Sequence, residues 1–444
     1  MNALDFYQSQ AKAQLSNIPW LAALQKEALE EFLKLGFPTR HTEEWKYTSV
    51  DSFLEHNFAL ANHAEPSSRH AEPPSCQAEP PSFRGLSAES SKHPKILIPT
   101  ALDQQITIFN GQVHIPKNLL SKLPVGIIIE PLLSALNSYA DLIKSQLVSL
   151  KIEHAFQALN LASLQSGLFI YIPKGVHLKQ PIVLNHCQNI RNQGTHLRHL
   201  IIAEENTKAE IVEYFEGENS YFTNNITQIF LGPQAQLTHY KIQNESREAY
   251  HIGHLAVQQK KGSECTSVSL SLGGKLVRSD SSFQLEESQA RCTMNGLYIP
   301  ADKQHIDHHT TVQHLVPNCT SEQDYKGILL GRSKAVFNGK VLVSKDAQLT
   351  EAHQSNKNIL LSPYAEINTK PQLEIFADDV TCSHGATVGQ LDEEALFYLA
   401  TRGIEPADAK LYLIQAFAAD NVRAIANKNL NAWMINLINQ QLGS

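Results

Sequence analysis

The chain has 444 residues, and 37 Lys and Arg against 44 Asp and Glu give a formal charge of −7. There is no basic footprint for nucleic acid, no apolar run of the roughly 18 residues that a transmembrane helix needs, and no basic or apolar region of a signal peptide in the opening MNALDFYQSQ. The expectation is a cytoplasmic protein with neither nucleic-acid nor membrane partners. Charged residues make up only 18 % of the chain, below the roughly 25 % usual for globular domains. The Asn, Gln, Ser, Thr and His that replace them suit stacked strands with polar ladders.

Residues 1–61 read as a helical module. Leu21, Leu24, Ala28, Phe32 and Leu35 recur at spacings of three and four behind Pro19, which suits a first turn, and Gly36 follows as a stop. From 62 to 95 the composition changes to AEPSSRH, AEPPSCQ and AEPPSF. A segment so rich in Pro and Ser buries little apolar area and reads as a disordered linker, which removes Cys76 from any structured site. Residues 96–166 form a mixed α/β segment, with short β-branched stretches up to Ile129 and helical spacing from Leu132 to Leu164.

Between 167 and 391 the chain alternates apolar and polar residues in short stretches broken by Gly, Asn and Pro. A small residue two places before an apolar one recurs near turns: Ala209-x-Ile211, Ala235-x-Leu237, Ala290-x-Cys292, Ala335-x-Phe337, Ala347-x-Leu349, Ala365-x-Ile367 and Ala386-x-Val388. Such steps fit the corners of stacked β-solenoid rungs, each burying its face on the next. An antiparallel sandwich has the same alternation, but so long a strand region without a helical break favours the solenoid. From 392 to 444 the spacing is helical again. Asp392 before Glu393 and Glu394 suits a helix start, Gly403 an end and Pro406 a second start through about Asn427, and Leu430, Trp433, Met434, Leu437, Ile438 and Leu442 form one stripe.

Two clusters could carry chemistry. His305, Asp307, His308, His309 and His314, with Cys319 close behind, look most like metal ligands. On a strand, however, His305, Asp307 and His309 share one face while His308 and His314 take the other, so at most three converge and a structural polar ladder is the simpler reading. In FADDVTCSHGATVGQ, Cys382 and His384 share a face about 6.6 Å apart. A thiolate and an imidazole can address one soft metal or sulfur species. Two ligands do not complete a tetrahedral site, so either a partner subunit supplies the rest or the pair is structural. None of the six cysteines forms a CxxC pair, which argues against a disulfide framework and a self-contained zinc site.

Enzyme signatures are missing. The pairs Gly274-Lys275 and Gly339-Lys340 are followed by Leu and Val, so neither is a GxxxxGK[ST] phosphate loop, and no GxSxG or GxGxxG occurs. Any nucleotide energy must come from another chain.

YKGILLGRSKAVFNGKVLV (325–343), DAQLTEAHQSNKNILLS (346–362) and KPQLEIFADDVTCSHGATVGQLDEEALFYLATRGI (370–404) together resemble the SufB/SufD family of the SUF iron–sulfur cluster assembly machinery. HIDHHTTVQH, IPKG (172–175) and EEWKYTSV (43–50) extend the resemblance over nearly the whole chain. On the SufB side of the family a Glu follows the His of the C-terminal motif. Here Gly385 follows His384, which is similar to the SufD side, whereas the AEP-rich stretch has no counterpart in the family core.

The resemblance implies a mainly β protein: a right-handed parallel β-helix flanked by α-helical N- and C-terminal domains. It also implies a non-enzymatic scaffold that pairs with SufB through the β-helix and with the ATPase SufC through the C-terminal helices, in a complex of one SufB, two SufC and one SufD-type subunit. By the same resemblance His384 and Cys382 belong to the cluster-assembly interface and hold metal transiently, shared with SufB. Leu396, Phe397, Arg402, Gly403 and Phe417 lie in the SufC-binding region. No cofactor is permanently bound, ATP enters only through SufC, and the isolated chain can form a homodimer. Rival readings are a SufB-like paralogue scaffold and a β-helix enzyme acting on polysaccharide through the His305–His314 face.

Overall fold

A computed structural model describes residues 2–60, 105–423, 425 and 427–443. The AEP-rich segment and Cys76 lie outside the described residues. Two compact units result, one of residues 2–60 with 105–390 and a second from Leu391 onward.

The first unit opens with α1 (Ala3–Ala13), α2 (Pro19–Leu35), a 3₁₀ turn (Glu43–Trp45), α3 (Asp51–Leu54) and β1 (Ala59–Leu60). Pro19 stands in the first turn of α2, and Gly36 stops it at φ 60°, where a side chain would be strained. The mixed segment follows as β2 (Gln105–Phe109), β3 (Gln112–His114), α4 (Leu119–Lys122), β4 (Ile128–Pro131), α5 (Leu132–Ala135), α6 (Ala140–Leu147) and α7 (Ala155–Ala162). Aromatic packing fixes the helices to the strands: Tyr7, Phe32, Phe53 and Phe58 meet Phe156, Phe222 and Tyr250 in one buried cluster.

Sixteen strands then wind as a solenoid of eight turns. One sheet stacks β5 (Leu168–Ile172), β7 (Gln193–Ala203), β9 (Phe222–Leu231), β11 (Tyr250–Gln259), β13 (Leu276–Leu285), β15 (His305–His314), β17 (Lys334–Val343) and β19 (Glu366–Ile375). The other stacks β6 (Ile182–Gln188), β8 (Lys208–Gly217), β10 (Gln236–Asn244), β12 (Glu264–Ser271), β14 (Arg291–Tyr298), β16 (Thr320–Leu329), β18 (Thr350–Leu360) and β20 (Val380–Gly389).

All pairings between these strands are parallel and in register, so inward residues form columns along the lumen. One column reads Ala209, Leu237, Cys265, Cys292, Ser321, Ala352, Cys382. The small-residue steps at 209, 235, 290 and 335 bury both members, as rung corners require. Ala347-x-Leu349 is an exception: Leu349 is 57 % exposed at φ 57° in the turn before β18, and only Ala347 faces the core. Ala386-x-Val388 sits on the last rung, where no further strand of the described residues stacks on it.

In the second unit, α8 (Glu393–Thr401), α9 (Pro406–Arg423) and α10 (Lys428–Gly443) follow. The Asp392 carboxylate accepts the N–H groups of Glu394 and Ala395 at 2.9 and 3.2 Å, which caps α8. In α10, Leu430, Trp433, Met434, Leu437 and Ile438 are buried, while Leu442 is half-buried. No described helix is long and apolar enough to cross a membrane.

Candidate functional site

The last rung brings the second sequence-derived pair together. Cys382 is in register with Ala352 and His384 with Gln354. Ala352 and Gln354 are both buried inward residues of β18, so Cys382 and His384 face the lumen side at its final turn. Cys382 packs partly against Val341, Val343, Ala347 and Ala352, and burial pushes its thiol above the usual range. His384 is exposed. An imidazole open to solvent is a more accessible donor than a half-covered thiol. On the opposite face Ser383 Oγ lies 2.8 Å from Nδ1 of His353, which ties β20 to β18.

Among the described residues both strands of this rung are sheet edges, β19 paired with β17 and β20 with β18. They differ in protection. β19 carries Glu366, Lys370, Pro371 and Glu374, the devices that normally blunt an exposed edge. The ten residues of β20, VTCSHGATVG, include no charge and no proline, and seven residues in a row are exposed from Ser383 to Gly389.

The His305–His314 cluster divides between faces as alternation predicts, and both halves are structural. Inside, His308 stacks on Tyr298 at 5.3 Å, and His314 Nε2 lies 2.8 Å from Ser321 Oγ. Burial lowers these imidazoles to about 3 and about 4. Outside, the EEWKYTSV segment is latched onto the sheet. Thr48 Oγ1 donates to Asp307 at 2.6 Å and lies 2.8 Å from His305 Nε2. Arg278 donates to Asp307 at 2.8 Å, to Asp280 at 2.8 Å and to the Glu44 carbonyl at 2.8 Å, with its guanidinium 4.6 Å from the Trp45 ring. His309 bridges Asp307 and Glu44, and Lys370 donates to Glu43 at 2.7 Å. Cys319 donates its S–H to the Glu287 carbonyl. The face that a β-helix enzyme would use is occupied by the chain's own N-terminal segment.

One further cluster among the described residues has no signature in the sequence. His186, His199 and Glu213 converge in the lumen, with one potential ligand atom from each within 4.8 Å of the others. They lie on β6, β7 and β8, and only the rung geometry brings them together. The hydrogen bonds of His199 and Glu213 point to a structural role. Nδ1 of His199 accepts the Leu168 N–H at 3.1 Å, which leaves the proton on the nitrogen that would have to bind metal. Glu213 is already hydrogen-bonded to Thr227, Asn225 and His239 at 2.6, 3.1 and 3.0 Å. Burial, the largest influence, acts to raise its pKa, but the bond to His239 together with the electrostatic attraction of His239, His199 and His186 outweighs it, and the carboxylate stays ionised.

Among the tail residues, Leu396 and Phe397 lie on α8, a helix with no buried residue, and Phe397 is 72 % exposed. Arg402 follows the helix and stacks over Tyr398 at 5.1 Å, Gly403 turns the chain at φ 78°, and Phe417 is half-buried on α9.

Comparison with known proteins gives a consistent picture. Residues 186–417 match a family profile described as "SUF system FeS cluster assembly, SufBD core domain". Residues 2–78 and 90–184 match the "SufBD protein N-terminal region". The chain is 30 % identical to the iron-sulfur cluster assembly protein SufD of Escherichia coli, over 94 % of this chain and 92 % of that one. It is 30 % identical to a SufBD family protein of Synechocystis, over 87 % and 83 % of the two chains. The iron-sulfur cluster assembly protein SufB of Bacillus subtilis is 26 % identical over 66 % of this chain and 64 % of its own.

Proposed function

The chain belongs to the SufBD family of SUF iron–sulfur cluster assembly proteins, and from that premise we propose that it is a non-catalytic scaffold subunit whose last rung pairs with a SufB partner and whose C-terminal helices engage the ATPase SufC. The observation that carries the pairing is the β20 edge. A long, uncharged strand with free backbone donors and acceptors is a template for another strand. A partner rung laid on β19 and β20 would continue both sheets and place Cys382 and His384 at the junction. Iron and sulfur are then cargo, and this chain's two donors form part of a ligand set that SufB completes. Motion of SufC on ATP hydrolysis would act through α8 and its neighbours by favouring one of two interface arrangements.

Co-expression with the cognate SufB and SufC tests this reading. A stable three-component complex is expected by size-exclusion chromatography. Phe397→Asp should remove SufC and leave the pair with SufB intact, because a charge on an exposed apolar anchor must be desolvated on docking. A parent chain that elutes apart from both proteins overturns the proposal.

A further inference from the structure

Directly beneath His384 in the lumen stands Gln354, its register partner on β18 and only 3 % exposed. Its Nε2 donates to Gln323 Oε1 at 3.2 Å, and that oxygen also accepts the Thr310 hydroxyl at 2.7 Å. The amide is therefore anchored toward β16. Gly339 of β17, where a Cβ would collide with the Gln354 amide, leaves room for it across the lumen. With Nε2 committed, Oε1 is buried and has no hydrogen-bond partner. The other inward amides of β18 differ. Asn356 Oδ1 accepts from Asn358 at 2.7 Å, and Asn358 Oδ1 accepts the Tyr298 hydroxyl at 2.6 Å.

A buried carbonyl oxygen without a donor is unfavourable, and each such group in a native protein calls for an explanation. A histidine that ligates metal through one ring nitrogen needs an acceptor for the N–H of the other, which fixes its tautomer and orientation. We propose that Gln354 is a positioning residue for His384: its Oε1 accepts the imidazole N–H and turns the second ring nitrogen toward the incoming iron. The proposal rests on the reading of His384 as an iron ligand given above.

The test uses the full-length chain with ¹⁵N-labelled histidine, the His384 signals being assigned by their loss in His384→Ala. In the parent, long-range ¹H–¹⁵N spectra should show one neutral tautomer for His384. Gln354→Leu should give a mixture of both, and Gln354→Glu, which keeps an acceptor, should retain the single form. In the complex reconstituted with SufB and SufC, Gln354→Leu should lower cluster yield by about tenfold, with Gln354→Glu restoring it. An unchanged single tautomer in Gln354→Leu overturns the proposal. Should that variant fail to fold, Gln354→Asn shortens the reach by one methylene, and an unchanged single tautomer there overturns it equally. If the tautomer responds to Gln354 but His384→Ala leaves cluster yield intact, the contact stands and the reading of His384 as an iron ligand falls.

Discussion

Arg278→Ala is expected to lower the stability of the first unit by about 3–5 kcal/mol, the range for removing one partner of a buried ion pair. Arg278 is 2 % exposed, and its loss removes the guanidinium partner of Asp307, which is buried, and of Asp280, which is half-buried. The Glu44 carbonyl and the Trp45 ring lose their contacts in the same step. The segment from Glu43 to Val50 should then detach, visible as new proteolytic cleavage after Lys46 and an earlier midpoint in urea.

The pH dependence should change as well. At Asp307 and Asp280 burial acts to raise the pKa, but the Arg278 charge, with His309 and His154 respectively, outweighs it and holds both carboxyls below the usual range. Groups depressed in the folded state contribute stability above their unfolded pKa of about 4, and that contribution is lost as pH falls toward the lowered folded value. The parent should therefore weaken steeply below about pH 4, and Arg278→Ala should show a flatter acid limb. An unchanged urea midpoint would mean that the network does not hold the segment.

The second large effect is expected at His384. In a complex that still assembles, His384→Ala should reduce cluster yield by at least about tenfold, since losing a ligand is no milder than losing the group that orients one. Cys382→Ala should reduce it less. Burial holds the Cys382 thiol in its protonated form, so it offers less to iron until a partner or the metal itself displaces the proton. Equal and small effects of the two variants, measured by absorbance and iron content after reconstitution, would place the assembly site elsewhere.

Much of this architecture is legible in the sequence because its cause is local. Helix α2 follows from apolar spacing between Pro19 and Gly36, and the solenoid from short alternating stretches whose small residues fall at corners. Alternation also divides His305, Asp307 and His309 from His308 and His314 before any coordinates are known. What the sequence conceals depends on register. Thr48 and His305 are 257 positions apart, and nothing near either announces their contact. The lumenal group of His186, His199 and Glu213 is drawn from three strands, and its structural role emerges only from where the Leu168 N–H points. That Cys382 and His384 face inward, above Ala352 and Gln354, likewise needs the pairing of β20 with β18. Leu349 shows the converse limit: its spacing matches a rung step, but a left-handed turn carries it outward.

The β20 edge offers the most direct test. Amide hydrogen exchange can be followed along Val380–Gly389 in the monomeric chain and again in its complex with SufB. Amides of β20 that β18 does not engage should exchange rapidly in the monomer and slow by at least about tenfold in the complex, as they enter a shared sheet. Unaltered exchange along β20 in a complex that remains assembled would contradict the pairing, and with it the placement of the assembly site at the last rung.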